Sequence, residues 1–188
     1  MTQHKNVPLL MLTQAFLNMM FVIPVIVPYY RDVIGLNFHQ FMVGEAVFSA
    51  VIILMEVPTG WLSDVWTRKM TMLAGILVNV FGWGVLWRAH SFGATVFAQG
   101  TIGVSVSLLS GTNSALLYES LMEVGQETKF RRLEGLRHGI GLYASGVTAL
   151  LGGYLYSWSR EAPIVLTVLT SVVALVFVLL MNEPARHR

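Results

Sequence analysis

The chain has 188 residues, 55% of them hydrophobic and 12% charged, and a mean hydropathy of +0.65. A water-soluble domain carries about a quarter charged residues, so most of this surface is not made for water. A soluble helical domain with a large core is excluded by run length: residues 163–181 carry no charge, about the length that crosses a ~30 Å hydrocarbon layer as helix.

Apolar runs between charged or Pro/Gly breaks predict an all-α membrane protein of six transmembrane helices in one domain, over 7–30, 40–62, 70–88, 93–118, 138–158 and 163–181. The runs lack the period-two alternation of a membrane barrel, and lipid tolerates no irregular exposed backbone. The first run has one Lys ahead of it, is too long for a signal peptide and has no small-residue cleavage site, so it is read as a retained span. On it, Gln14 and Asn18 are four apart and share a helix face.

The second run holds Glu45 near its outer end and Glu56 near its inner end. An acid in hydrocarbon is costly; Glu45 is either a snorkelling side chain or a proton site, and Glu56 belongs with the charges that follow. Those charges lie in "GWLSDVWTRK" (60–69), where Asp64 is expected to cap the next helix and pair with Arg68 and Lys69. Gly60 is expected to let backbones approach, and Pro58 to bend the preceding helix end.

The fourth run carries a polar stripe in steps of three and four: Gln99, Gly103, Ser107, Ser110 and Ser114, with Asn113 beside it. Such a stripe either lines a hydrated cavity or bonds helix to helix. Glu119 closes the run. Residues 119–137 interleave acids and bases with Leu, Met, Val and Phe and predict a loop with an amphipathic helix along the interface. His138 then reads as interfacial. In the fifth run Gly139, Gly146 and Gly153, seven apart, predict one smooth packing face. In the sixth, Thr167, Thr170 and Ser171 are expected to bond back to their own helix, with the span facing lipid.

Lys5, Arg68, Lys69, Lys129, Arg131, Arg132, Arg137, Arg186 and Arg188 collect on one side of this layout, against Arg31, Arg88 and Arg160 on the other. Basic loops stay in the cytoplasm, so both termini are expected there, and Trp and Tyr at the span ends agree.

The 60–69 turn resembles the signature loop of the major facilitator superfamily, Gly-x-Leu-(Ala/Ser)-Asp-Arg-x-Gly-Arg-(Lys/Arg), with Gly60, Leu62, Ser63, Asp64, Arg68 and Lys69 in register and Val65 and Thr67 departing. "EVPTG" (56–60) and "SGTNSALLYESL" (110–121) are similar to helix ends of many bacterial members. The resemblance implies an N-terminal domain of two inverted three-helix repeats in a bacterial inner membrane, and secondary active transport by alternating access. It implies a cytoplasmic gate at Gly60, Asp64, Arg68, Lys69, Glu56 and Glu119, and a cavity lined by the first and fourth helices through Gln14, Asn18, Gln99, Ser107, Ser110 and Asn113. Export of drug-like or amphiphilic metabolites follows from family habit. No Gly-Pro kink stands on the fifth helix and no basic residue on the fourth.

Such a transporter has two six-helix halves. The expectation is that the native frame continues past Arg188; the alternatives are a half-size homodimer, an inactive fragment, or a membrane scaffold without transport of its own. Partners are then the lipid bilayer, a small-molecule substrate and the second half. No phosphate-cradling Gly-Lys-Ser/Thr loop, metal cluster or nucleophile–base set stands out, so no enzyme activity, cofactor, metal or nucleic acid is expected.

Overall fold

The computed structural model describes residues 5–184; Arg186 and Arg188 of the orientation argument lie outside the described residues. The helices are α1 (Asn6–Leu17), α2 (Ile26–Tyr29), α3 (Phe38–Val65), α4 (Arg68–Trp87), α5 (Phe92–Met122), α6 (Phe130–Trp158) and α7 (Ala162–Leu179). Of these, α3, α4, α5 and α7 are long and apolar enough to cross a membrane. Ile53, Leu54 and Val57 of α3 and Leu142 and Leu150 of α6 are each more than two-thirds exposed. An apolar surface of that extent faces lipid or another protein.

The first predicted span is broken, not continuous. Helix α1 ends at Leu17, a 3-10 turn follows at Ile23–Val25, and a π turn at Tyr30–Ile34 closes the passage. Pro24 and Pro28 remove two backbone donors and clash with the preceding turn. The freed groups find partners on neighbouring helices. Ser145 Oγ donates to Asn18 O (3.3 Å), Thr170 Oγ1 to Met19 O (3.1 Å), and Val22 N to Thr167 Oγ1 (3.3 Å). Interrupted backbone survives at membrane depth only where protein satisfies it in this way.

The interfacial helix expected at 119–137 is also absent as such. Helix α5 runs on to Met122, Gly125 turns the chain at φ +65°, and Gln126 N donates to Leu121 O at 2.9 Å. Helix α6 then starts at Phe130 and proceeds without a break, because no proline interrupts it. Its buried side is Arg137, Gly141, Ala144, Thr148 and Gly152. The seven-spaced glycines point elsewhere: a Cβ at Gly139, Gly146 or Gly153 would meet nothing within 4 Å.

Lipid supplies little hydrophobic drive between helices, so close approach by small residues decides the packing. Helix α4 meets α5 through Gly75, where a Cβ would lie 2.9 Å from Leu109, and Gly82, 2.7 Å from Ile102. Helix α5 meets α3 through Gly103, 2.9 Å from Phe48 O. Helix α1 packs on α6 and α7, and α4 on α7. Helix α7 thus buries one face, with Ile164, Thr167, Ser171, Ala174 and Val178, and leaves Leu169, Val172, Val173, Val176 and Leu179 exposed on the other, the side expected to face lipid. Its hydroxyls bond to their own carbonyls, as expected, and the one proton of Ser171 Oγ is shared between Thr167 O (2.9 Å) and Asn79 Oδ1 (3.0 Å) across on α4.

After α7 the chain is strapped down. Glu183 accepts from Arg68 N and Lys69 N at 2.9 Å each, which caps the positive end of α4, while Lys69 Nζ donates to Leu179 O (3.0 Å) and Met181 O (2.5 Å) at the negative end of α7. Asn182 N donates to Asn6 Oδ1 (3.0 Å), and Asn6 Nδ2 returns a bond to Asn182 O (2.9 Å).

Candidate functional site

Two hollows share one wall of α5. The first, about 380 Å³, is lined from α3 by Glu56, Thr59, Gly60, Ser63 and Asp64, from α4 by Arg68, and from α5 by Ser107 and Ser110 to Thr112. Arg68 is its hub. Arg68 Nε donates to Glu119 Oε1 (2.9 Å), and Nη1 to Ser63 Oγ (2.7 Å), Ser63 O (2.9 Å) and Asp64 Oδ1 (3.1 Å). One guanidinium therefore ties the end of α3, the start of α4 and the last turns of α5. Its fork of donors suits this as a lysine would not.

The other expected members take different places. Asp64 does not cap α4: it lies in the last turn of α3 with its side chain 72% exposed, and Thr67 Oγ1 accepts from Met70 N (3.2 Å) as the cap. The departure from the motif at Thr67 thus supplies the capping hydroxyl. Lys69 turns to the end of α7 and not to Asp64. Glu56 lines the hollow without an ion pair to Arg68. Gly60 brings no backbones together, since a Cβ there would meet nothing within 4 Å; it leaves the hollow open. Helix α3 passes through Pro58 and continues to Val65.

The second hollow, about 330 Å³, brings together Gln14 and Asn18 of α1, Ser110 and Asn113 of α5, and three residues not singled out for it: Asn79 of α4 and Arg137 and His138 of α6. Ser110 lines both hollows. Arg137 is not a surface loop base; it is 3% exposed. Its Nε donates to Glu134 Oε2 (3.0 Å) and its Nη2 to Glu134 Oε1 (2.6 Å), a bidentate pair. Nη2 also lies 3.3 Å from Ser114 Oγ, and Nη1 donates to Gln14 Oε1. Ser114 Oγ donates to Glu134 Oε1 at 2.6 Å. His138 Nε2 lies 3.3 Å from both Arg137 Nη2 and Glu134 Oε1. The charges of the pair cancel inside the bundle, and each nitrogen of the guanidinium has a protein partner.

Gln99 and Ser107, expected with that set, sit on the α3 seam. Ser107 meets Thr59 hydroxyl to hydroxyl at 3.2 Å. Gln99 Nε2 donates to Glu45 Oε1, so Glu45 points inward to an amide and does not snorkel outward. Both line a smaller hollow of about 90 Å³ with Phe48 and Trp83, and Met20 and Val106 line this one and the 330 Å³ hollow. At the far end of the bundle, Asp32 pairs with Arg31 (2.7 Å), which holds its carboxyl below the usual range, and Tyr156 donates to Asp32 Oδ2 at 3.3 Å.

The Major Facilitator Superfamily model matches residues 9–188. The chain belongs to the major facilitator superfamily. It is accordingly a membrane protein of a transporter family, as its signature loop and apolar helices also indicate. A similar protein of this kind is an uncharacterized transporter of Buchnera aphidicola subsp. Baizongia pistaciae (strain Bp), 27% identical over 109 residues, which are 57% of this chain and 27% of that protein. The chain thus matches about a quarter of that transporter's length.

Proposed function

We propose that the chain is the N-terminal half of a secondary active transporter that moves a small molecule across a bacterial inner membrane by alternating access. In this reading the first, broken passage counts as a crossing and α6 as another, giving six, with both termini in the cytoplasm. The packing supports two inverted repeats: exchanging α1, α3 and α4 with α5, α6 and α7 turns the α5 contacts with α3 and α4 into the α1 contacts with α6 and α7, and keeps the α4–α7 contact. The gathering of Lys and Arg at the Arg68 end, against Arg31, Arg88 and Arg160 in the far turns, supports the orientation.

The observation that carries the proposal is the sharing of Ser110 between the hollow ruled by Arg68 and the polar hollow of Gln14, Asn18 and Asn113. The first serves as the cytoplasmic gate, with exposed Asp64 and Glu56 offered to the opposite half, and the second as the substrate cavity. Glu45, held by Gln99 beside the cavity's outer end, is the proton site of coupled transport. The second half is a continuation of the chain or a second copy.

The test is flux. Vesicles carrying the whole protein are loaded with a candidate compound library, and efflux is followed by mass spectrometry with and without a proton gradient. Gradient-dependent movement of one compound, lost in Glu45→Gln, is expected; no gradient-dependent movement of any compound overturns the reading. Topology is tested apart from it. The chain has no native cysteine, so single cysteines at Val65 and Ser159 are expected to react with impermeant maleimide from opposite compartments.

A further inference from the structure

The second hollow is polar at one level and apolar at the other. Gln14, Asn113 and Arg137 lie toward the Arg68 end, and Met20 and Val106 lie toward the far end. Asn113 is 8% exposed, and its Oδ1 is buried without any hydrogen-bond partner. A buried orphan acceptor costs about as much as a lost hydrogen bond or more, so it marks a place where a donor belongs. Asn79 gives Oδ1 to Ser171, and Gln14 gives Oε1 to Arg137, which leaves both amide nitrogens free of protein partners among the described residues. The wall therefore sets the amide donors of Asn79 and Gln14 near the orphan acceptor of Asn113, with the Asn18 carboxamide and the Ser110 hydroxyl beside them. It offers no unpaired charge, since Arg137 is neutralised by the two oxygens of Glu134.

We propose that this hollow binds the uncharged polar head of a small amphiphile. A hydroxyl or amide on the ligand donates to Asn113 Oδ1 and accepts from the amides of Asn79 and Gln14, and its apolar part lies against Leu17, Met20 and Val106. The assignment rests on the cavity reading above and narrows it. An anionic head would have to displace Glu134 from Arg137 and bury a second carboxylate beside the first. A quaternary ammonium would leave Asn113 Oδ1 as unsatisfied as before.

The experiment places Ser110→Cys in the otherwise cysteine-free chain, in lipid nanodiscs, and follows its labelling by a soluble maleimide. Three probes with the same six-carbon chain compete: 1,2-hexanediol, hexanoate and hexyltrimethylammonium. Hexanediol is expected to slow labelling, with a half-protecting concentration at least about tenfold below those of the two charged probes, and Asn113→Ala is expected to raise it about tenfold. Equal labelling rates without probe show that the Asn113→Ala cavity is intact; where they differ, the ranking of the three probes on the unsubstituted wall decides alone. Hexanoate or hexyltrimethylammonium protecting as well as hexanediol, no probe protecting, or protection unmoved by Asn113→Ala in an intact cavity overturns the proposal. Protection by hexanediol in a protein that moves nothing across a membrane would overturn the transport reading and leave this one standing.

Discussion

The α3–α5 seam and the α1–α6 seam are assembled alike and filled differently. Each closes on small residues, Gly103 against Phe48 O in one, Gly141 and Gly152 against α1 and the turn after it in the other. In the first seam the polar content is a ladder of neutral contacts, Ser63 with Thr112 (3.1 Å) and Thr59 with Ser107 (3.2 Å), with Glu45 and Gln99 at one end. In the second it is a buried Arg137–Glu134 pair reaching Gln14 and Ser114. A hydroxyl ladder can slip by a turn and re-form with other hydroxyls or carbonyls, whereas a bidentate ion pair has one good geometry. The pair lies within α6 and holds the guanidinium that crosses to Gln14 of α1 and Ser114 of α5. In the proposed transporter the α1–α6 seam is then expected to act as a fixed post and the α3–α5 seam as the joint that absorbs movement at the Arg68 gate.

The largest effect expected from this contrast is at the post. Glu134→Ala leaves a guanidinium buried without its counter-ion, a loss of about 3–5 kcal/mol. Unfolding in detergent, followed by circular dichroism against a denaturing surfactant, measures it. Adding Arg137→Met removes the stranded charge and is expected to recover most of the loss. A Glu134→Ala variant as stable as the parent would mean that water reaches the pair and that the post does not exist.

Next in size is Gln99→Leu at the end of the ladder. It takes the amide donor from the Glu45 carboxylate, and a hydrogen bond to a charged group contributes about 1.5–3 kcal/mol. A loss in that range, measured in the same unfolding assay, assigns the Glu45–Gln99 contact a part in holding the seam together. A loss equal to that of Glu134→Ala would erase the distinction between the seams.

Small residues come third. Gly152→Ala places a Cβ 2.6 Å from Phe21 O and against Pro24, in backbone that cannot yield like a side chain, at a cost of about 1–3 kcal/mol. Gly146→Ala, one helix face away, meets nothing within 4 Å and is expected to be neutral or to stabilise α6 by up to ~1 kcal/mol through helix propensity. The pair separates packing from propensity on one helix.

Those two glycines also show what could be read from the residues alone and what could not. The period of seven in Gly139, Gly146 and Gly153 is real but irrelevant, because the buried stripe runs through Arg137, Gly141, Ala144, Thr148 and Gly152 in steps of three and four. Taking Arg137 as the first member of that small-residue stripe, with Glu134 one turn before it, would have moved it from the loop into the bundle. Its neighbours Arg131 and Arg132 hid it among surface bases. The α5 stripe was legible as a stripe, yet its two sides were not: Gln99 and Ser107 turn to α3, Asn113 faces α1 and α6, Ser110 stands between the two, and only the positions of partner helices divide them. The break near Pro24 was written in two prolines four apart, but its stability depends on Ser145, Thr167 and Thr170, more than a hundred residues away.

The smallest expected effect is the most telling about movement. Ser63→Ala removes one hydroxyl that meets Thr112 and accepts from Arg68 Nη1. Hydroxyl contacts between membrane helices average about 0.6 kcal/mol, because each partner can turn to another acceptor: Thr112 Oγ1 already has Leu108 O at 2.8 Å, and Arg68 Nη1 keeps Ser63 O at 2.9 Å. Stability in the unfolding assay should thus fall by less than ~1 kcal/mol. If the α3–α5 seam is the joint, the same change loosens one arrangement of it relative to the other, and a probe of the gate responds where stability does not. Maleimide labelling of a single cysteine at Gly111, on the wall of the Arg68 hollow, is expected to quicken severalfold in Ser63→Ala and to stay unchanged in Arg137→Met with Glu134→Ala. Equal responses in the two backgrounds would mean that both seams move together, and the bundle would then rock as one body without an internal joint.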